Sequence, residues 1–399
     1  MTYDFTTILD RAGHDILAAD MIPFPDARVD DGFSVIPMWV ADMSFPTAPC
    51  ILEAVEERLH FPNFGYFSQS EEYYQAIIDW HRTRKDIRDL SKDQLGYENG
   101  VLGGLISALN VTVGRGGKVL LHSPTYIGFT HVLTNNGYQM IHSPLKQDEN
   151  QIWRMDYEDM EEKIVEEGIK AAIICSPYNP IGRVWEREEL EKAMEVFRRH
   201  EVYVISDEIW SDIILDDNVH IPTLNVNEYA REHTVALYSL SKSFNLAGMA
   251  EAYHVICNEQ LRRLVERENS LSHYNSMNVL SMHALIGAYS SEGRRWLEEL
   301  KQVLSDNVHY VCDWFAGNVP EVSFSRPQGT YMLFISCQKW CQKQGCTMDE
   351  LIKAGWDAGV IWQDGRPFHD PYGIRLNLAS PGERIKEAVR RLESYVFIR

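Results

Sequence analysis

Two hydroxyls and one amine stand together where an apolar run ends: Ser239-Leu240-Ser241-Lys242 follows directly on Thr234–Tyr238. A solid apolar run of this length reads as a buried strand, so the serines and the lysine belong to the rim of a sheet. Hydroxyls at such a rim can hold phosphate oxygens. An amine there can form a Schiff base with a carbonyl, provided its surroundings keep part of it neutral. The same four residues also suit an ordinary solvated turn, and the residues upstream decide between the two.

Asp207 closes another apolar run, Val202-Tyr203-Val204-Ile205-Ser206. A carboxylate in that position must find a partner or take up a proton. It reads either as a helix cap or surface acid, or as the counter-ion of a protonated aromatic nitrogen. Asn179 sits in Asn179-Pro180-Ile181-Gly182, a turn signal whose amide can also donate to a phenolic oxygen. Tyr126 follows Pro124 at a third strand end and either packs as a core or interface aromatic or stacks on a flat ring. Arg375 alternates with Ile374 and Leu376 and so points away from their face, as a solvated edge arginine or as a bidentate clamp on a carboxylate. Glu98-Asn99-Gly100-Val101-Leu102-Gly103-Gly104-Leu105 is a glycine-rich entry into an apolar helix. Such an entry is a tight turn, and its free N–H groups also suit a phosphate. An amine, a phosphate cradle and an acid for a ring nitrogen are together what pyridoxal 5'-phosphate requires. Its cationic ring draws electrons from a substrate's α-carbon.

The elements that must position these groups follow from periodicity. Short apolar runs at 118–122, 138–142, 171–175, 202–206, 234–238 and 252–257 read as strands. Most are separated by helical patterns, including an acidic amphipathic one at 156–167 and another at 187–199. Strands of this kind imply a mainly parallel sheet covered on both faces, with ligands gathered outside the carboxyl ends of its strands. Tyr126, Asn179, Asp207 and Lys242 all fall at such ends. Helices are predicted at 48–59 and 71–84, around an aromatic turn, Asn63-Phe64-Gly65-Tyr66-Phe67. A long helical stretch at 278–314 has a weak joint at Ser290-Ser291-Glu292-Gly293. Beyond it the pattern is strand, strand, helix, strand, strand, helix. We therefore expect an α/β fold with a large domain at 49–290, a smaller α+β domain at 291–399, and an N-terminal arm at 1–48 contributing to the small domain.

The chain has 399 residues, 45% hydrophobic and 24% charged, long enough for two domains. Its formal net charge of -20 argues against nucleic acid and anionic membrane surfaces as partners. MTYDFTTILDRAG lacks the basic start and apolar core of a signal peptide, and no apolar run is long enough for a bilayer. Seven scattered cysteines then read as reduced thiols of a cytoplasmic protein. Cys337, Cys341 and Cys346 lack zinc-site spacing, so no metal is expected.

The order Tyr66, Gly103, Tyr126, Asn179-Pro180-Ile181-Gly182, Asp207 and Ser239-Leu240-Ser241-Lys242 resembles the fold-type I pyridoxal-phosphate enzymes of aminotransferase class I/II. Met38-Trp39-Val40-Ala41-Asp42-Met43, Arg183-Val184-Trp185, Ser206-Asp207-Glu208-Ile209 and Ser241-Lys242-Ser243-Phe244-Asn245-Leu246-Ala247-Gly248 look like its MalY/PatB branch. The best-known activity of that branch is β C–S lyase, as in cystathionine β-lyase. The resemblance covers nearly the whole chain. It implies that Lys242 carries the cofactor and moves the substrate proton, that Asp207 meets the ring nitrogen, that Asn179 meets the phenolic oxygen and that Tyr126 stacks. It further implies that Ser239, Ser241 and the N–H groups of Val101 and Leu102 hold the phosphate. Arg375 and the Ala41 backbone would hold the substrate carboxylate. Tyr66 would reach the phosphate of a second subunit, making the enzyme a homodimer with shared sites. Trp210 stands where the branch often has histidine, and its indole N–H could donate to the same phenolic oxygen. Ala250 stands where some aminotransferases have an arginine, and Arg11-Ala12-Gly13-His14-Asp15 follows the branch only loosely. The 38–45 segment, apolar apart from Asp42, would cover the substrate side chain, with Asp42 placed to repel or orient a substrate ammonium.

Three functions compete: a β-eliminating lyase on cystathionine or a related cysteine S-conjugate, an aminotransferase of an aromatic or other apolar amino acid, and a regulatory protein acting through direct contact. The first is the expectation.

Overall fold

The computed structural model describes residues 1–271 and 275–398. Among the described residues fourteen strands occur in chain order: β1 (Ile36–Met38), β2 (Leu95–Glu98), β3 (Lys118–Ser123), β4 (Gln139–Pro144), β5 (Lys146–Gln147), β6 (Trp153–Arg154), β7 (Ala171–Cys175), β8 (Tyr203–Asp207), β9 (Thr234–Ser239), β10 (Ala252–Val255), β11 (Ser323–Phe324), β12 (Met332–Ser336), β13 (Val360–Asp364) and β14 (Gly373–Asn377). The apolar runs of β7, β8 and β9 form the middle of a seven-stranded sheet ordered β2-β10-β9-β8-β7-β3-β4. Every residue of β7 and β9 is buried, as the absence of alternation predicts for a strand covered on both faces. Neighbours from β9 through β4 run parallel. Only β10 runs antiparallel, against both β9 and β2. The fold is therefore α/β with a mostly parallel central sheet.

Helices cover both faces, and their ends obey local chemistry. Ser70, Asp156, Asn258 and Asn278 each cap a helix by accepting an N–H three residues on. The predicted long helical stretch is two helices, Val279–Ala288 and Ser291–Asn318. Ser290 caps the second by accepting Gly293 N–H. A Cβ on Gly293 would lie 1.9 Å from the Ala288 carbonyl oxygen, so the sharp joint requires glycine there. The C-terminal helix ends at Leu392 and continues as one π turn, Glu393–Phe397.

A second, five-stranded sheet is ordered β1-β13-β14-β12-β11. β1 pairs parallel with β13, Ile36 opposite Val360 and Met38 opposite Trp362. The sequence reading lacked β1 and β2. It also lacked the helices Ile127–Asn135, Glu228–His233, Glu259–Ser270 and Gln338–Gln344. β1 is three residues containing a proline at a sheet edge, too short for any periodic signal. Among the described residues no helix is long and apolar enough to cross a membrane.

Candidate active site

Four strand ends converge. Tyr126 follows β3, Asn179 follows β7, Asp207 is the last residue of β8, and Lys242 lies in the single turn after β9. All four line one cavity of about 210 Å³, together with Gly100, Val101, Leu102, Gly103, Cys175, Trp210 and Ser241. The parallel sheet explains this placement, since its strands all deliver their C-terminal residues to one rim.

Lys242 is half-buried. Burial first, and then the nearby Arg375 charge, bring its amine down to about 8, against opposing pulls from Asp42 and Asp207. Its Nζ donates to the Ala41 carbonyl oxygen at 2.9 Å and lies 5.7 Å from the Trp210 ring centre. Asp207 is pushed up to about 7, chiefly by burial. Among the described residues its carboxylate accepts one hydrogen bond, from Ile209 N–H at 3.1 Å. A buried carboxyl with so few donors gains most from a cation placed against it.

Arg375, on β14, reaches the rim from the second sheet. Its Nη1 donates to Asn179 Oδ1 at 3.1 Å and its Nη2 to the Trp39 carbonyl oxygen at 2.8 Å. Nε is buried without a partner among the described residues. Burial lowers this guanidinium to about 10. The cost of burying it is offset by stacking over Phe368, 4.7 Å from the ring centre.

The 39–42 loop is where these groups meet. Asn377 Nδ2 donates to the carbonyl oxygens of Val40 at 2.7 Å and Asp42 at 2.5 Å. The Tyr331 hydroxyl donates to the Ala41 carbonyl at 3.1 Å, and the Tyr331 ring stands edge-on to Trp210 at 4.7 Å. Neither Tyr331 nor Asn377 came from the sequence reading. Asn377 had a signal: it lies two residues after Arg375, on the same face of the same strand.

Ser239 does not line the cavity. It is buried, its Oγ bonds the Glu251 carbonyl oxygen at 2.5 Å and sits 2.7 Å from Ser241 Oγ. Ser241 is the hydroxyl at the cavity. Opposite it begins the helix Val101–Thr112, after Gly100 at φ +81°. First-turn N–H groups have no acceptor inside their own helix, so Val101 and Leu102 present donors there. Tyr126 fits because residue 128 is glycine: a Cβ there would lie 2.3 Å from the Tyr126 ring. Tyr66 is elsewhere, fully exposed beside Phe64 and Phe67.

The donor set fits pyridoxal phosphate. A partly neutral amine, a buried carboxyl awaiting a cation, an asparagine amide and an anion-binding rim surround one cavity of suitable size. Among the described residues no group of three or more His, Cys, Asp or Glu could hold a metal ion.

Comparison with known proteins agrees. The family model for aminotransferase class I and II matches residues 34–392. The chain is 28% identical over 362 residues to cystathionine beta-lyase PatB of Bacillus subtilis, covering 90% of this chain and 92% of the relative. It is 30% identical over 399 residues to protein MalY of Escherichia coli, covering 98% of each. It also superposes on the pyridoxal-phosphate-bound C–S lyase of Staphylococcus hominis with a TM-score of 0.88 at 29% identity, covering 100% of this chain and 99% of that one. The chain belongs to the aminotransferase class I and II family.

Proposed function

We propose that this chain is a pyridoxal-phosphate-dependent β C–S lyase that cleaves a cysteine thioether to a thiol, pyruvate and ammonia. The observation that carries this reading is the full-length likeness to C–S lyases, joined to a cavity in which Lys242 and Asp207 face one another's field. When bound, the cofactor supplies an electron sink beside the substrate α-carbon. The chain's residues do the rest. Asp207 holds a positive ring nitrogen, and Asn179 and Trp210 orient the ring's phenolic side. Tyr126 stacks on its face. Ser241 and the N–H groups of Val101 and Leu102 retain the phosphate, and the buried Ser239 hydroxyl holds Ser241 in place. Arg375, with the Ala41 backbone, binds the substrate carboxylate, which turns the α-proton toward Lys242. The Lys242 amine takes that proton and returns one to the departing sulfur, while water later releases ammonia.

The chain further acts as a homodimer in which Tyr66 of one copy serves the phosphate of the other. This reading is supported by its complete exposure among Phe61, Phe64 and Phe67. Seven free cysteines suit a reducing compartment such as the cytoplasm.

The test is pyruvate release from L-cystathionine by the holoenzyme, without added keto acid, against keto-acid-dependent amino transfer. Elimination should dominate. A hundredfold excess of transfer across several thioethers would establish the aminotransferase instead.

A further inference from the structure

Behind the cavity lies a second polar layer that the chemistry above leaves unused. Trp210 and Lys242 line the cavity, whereas Ser211, Asp212 and Ser243, which directly follow them in the chain, do not. All three are buried, and they gather around Lys85, at the end of the helix Glu71–Arg84. Lys85 Nζ donates to Ser211 Oγ at 2.6 Å and to Asp212 Oδ1 at 2.8 Å. Asp212 Oδ1 also accepts from Trp80 Nε1 at 3.1 Å, and Oδ2 accepts the Ser243 hydroxyl at 3.4 Å. The side chains of Lys85 and Asp212 are 2% and 7% exposed. Burial alone would raise the Asp212 carboxyl, yet the Lys85 ammonium and the nearby Arg84 guanidinium hold it well below the usual carboxylate range.

A buried ion pair is a poor device for stability, because taking both charges out of water offsets most of their attraction. What this pair has is reach. It joins three segments far apart in the chain: the end of the 71–84 helix, the stretch that carries Trp210 and the turn that carries Lys242. Those last two segments set the Lys242 amine 5.7 Å from the Trp210 ring centre. We propose that Lys85 and Asp212 are positioning residues, which hold the Lys242 turn against the Trp210 segment and so fix where the amine stands. The proposal rests on Lys242 as the amine that bears the cofactor, whichever reaction follows. The charges that act most on that amine are those of Arg375, Asp42 and Asp207. Lys85 and Asp212 therefore reach it through the backbone of the two segments, and a change in its titration on altering them reports displacement. A pair that only supported the fold would change stability and leave the amine alone.

The experiment uses the double variant Lys85→Met/Asp212→Asn, which removes both charges and leaves an amide for Trp80 and Ser243 to bond. Ser243→Ala is the second variant; it spares the pair and cuts only its tie to the Lys242 turn. Three quantities are compared with wild type: the urea midpoint, the pH midpoint of pyridoxal-phosphate uptake by the cofactor-free chain, and kcat and KM for pyruvate release by the holoenzyme. In the double variant the uptake midpoint should move by about half a pH unit or more. Its kcat should fall about tenfold with KM within about twofold, because a displaced reacting group acts on the chemical step. Ser243→Ala should move the uptake midpoint in the same direction and lower kcat about threefold, with the urea midpoint unchanged. An uptake midpoint unmoved in both variants would overturn the proposal, whatever happens to stability, and leave the pair a part of the core. Should the double variant not fold, Ser243→Ala decides alone. Lys242→Ala taking up cofactor as wild type does would overturn the reading of Lys242 and this proposal with it. That result is distinct from an unmoved midpoint, and both are read without any pyruvate release.

Discussion

Burial decides the protonation of the two groups on which the site depends, and it acts on them in opposite senses. It favours the neutral form of each: the Lys242 amine comes down to about 8 while the Asp207 carboxyl goes up to about 7. Below about pH 8 the reactive free amine is the minority form, and its share grows about tenfold per pH unit. Uptake of pyridoxal phosphate by the cofactor-free chain, followed by visible absorbance, should therefore quicken toward pH 8 and level off above it. Lys242→Ala should show no such uptake signal; an unchanged rate in that variant would exclude this lysine. Glu251 is a third buried group, and its carboxyl is held up to about 8 by burial. Tyr73 donates to its Oε1 at 3.0 Å, whereas Oε2 has no partner among the described residues. The folded chain keeps a proton there that the unfolded chain, with a value near 4.5, has already released. Stability from this group is complete at low pH, declines from about 4.5 upward and is gone above about 8. Glu251→Gln should remove that decline, so its urea midpoint should hold between pH 5 and 8 where the wild type's falls. Parallel declines would show that the carboxyl is not the cause.

At the scale of elements, the helix Val101–Thr112 is set against β9 by one missing side chain. A Cβ on Gly104 would lie 2.7 Å from Leu237 Cδ2 and 2.9 Å from Glu98 Cγ. Gly104→Leu should push the helix off the sheet and cost about 1–3 kcal/mol, read as a lower urea midpoint. It should also weaken cofactor retention, because the first-turn N–H groups move with the helix. The central strands and the helices at 48–59, 71–84, 156–167 and 187–199 were legible in the sequence because each carries its own period and its own stop. Apolar runs ended at Ser176, Asp207 and Ser239, and those ends are where the cavity opens. β1 and β2 were illegible because their conformation is imposed by the partners β13 and β10 rather than by local pattern. The same holds within the site. Lys242 and Asp207 announce themselves as polar residues after apolar strands. The Lys85–Asp212 pair and the Tyr331 contact join segments far apart in the chain, and nothing in either segment marks the other.

For the whole molecule, the exposed Phe61, Phe64, Tyr66 and Phe67 turn is the surface that assembly into a dimer would cover. Mixing Tyr66→Phe with Lys242→Ala, each inactive alone, should restore part of the activity. One of the two sites in a mixed dimer then carries neither lesion. Verified hybrids without recovered activity would argue for self-contained sites. The pairing of β1 with β13 bears on a different matter, the order in which a ribosome finishes the enzyme. Ile36 is translated more than three hundred residues before its neighbour Val360. Lys242, Asp207, Asn179 and the whole central sheet are synthesised while the 39–42 loop still waits for the strands that will hold it. A nascent chain thus completes the strand ends around Lys242 before it has the strands that hold the 39–42 loop. Arg375 and Asn377 close that gap more than one hundred and thirty residues after Lys242. The 39–42 loop is thus the last part of the rim to be fixed, after the strand ends around Lys242 have been built.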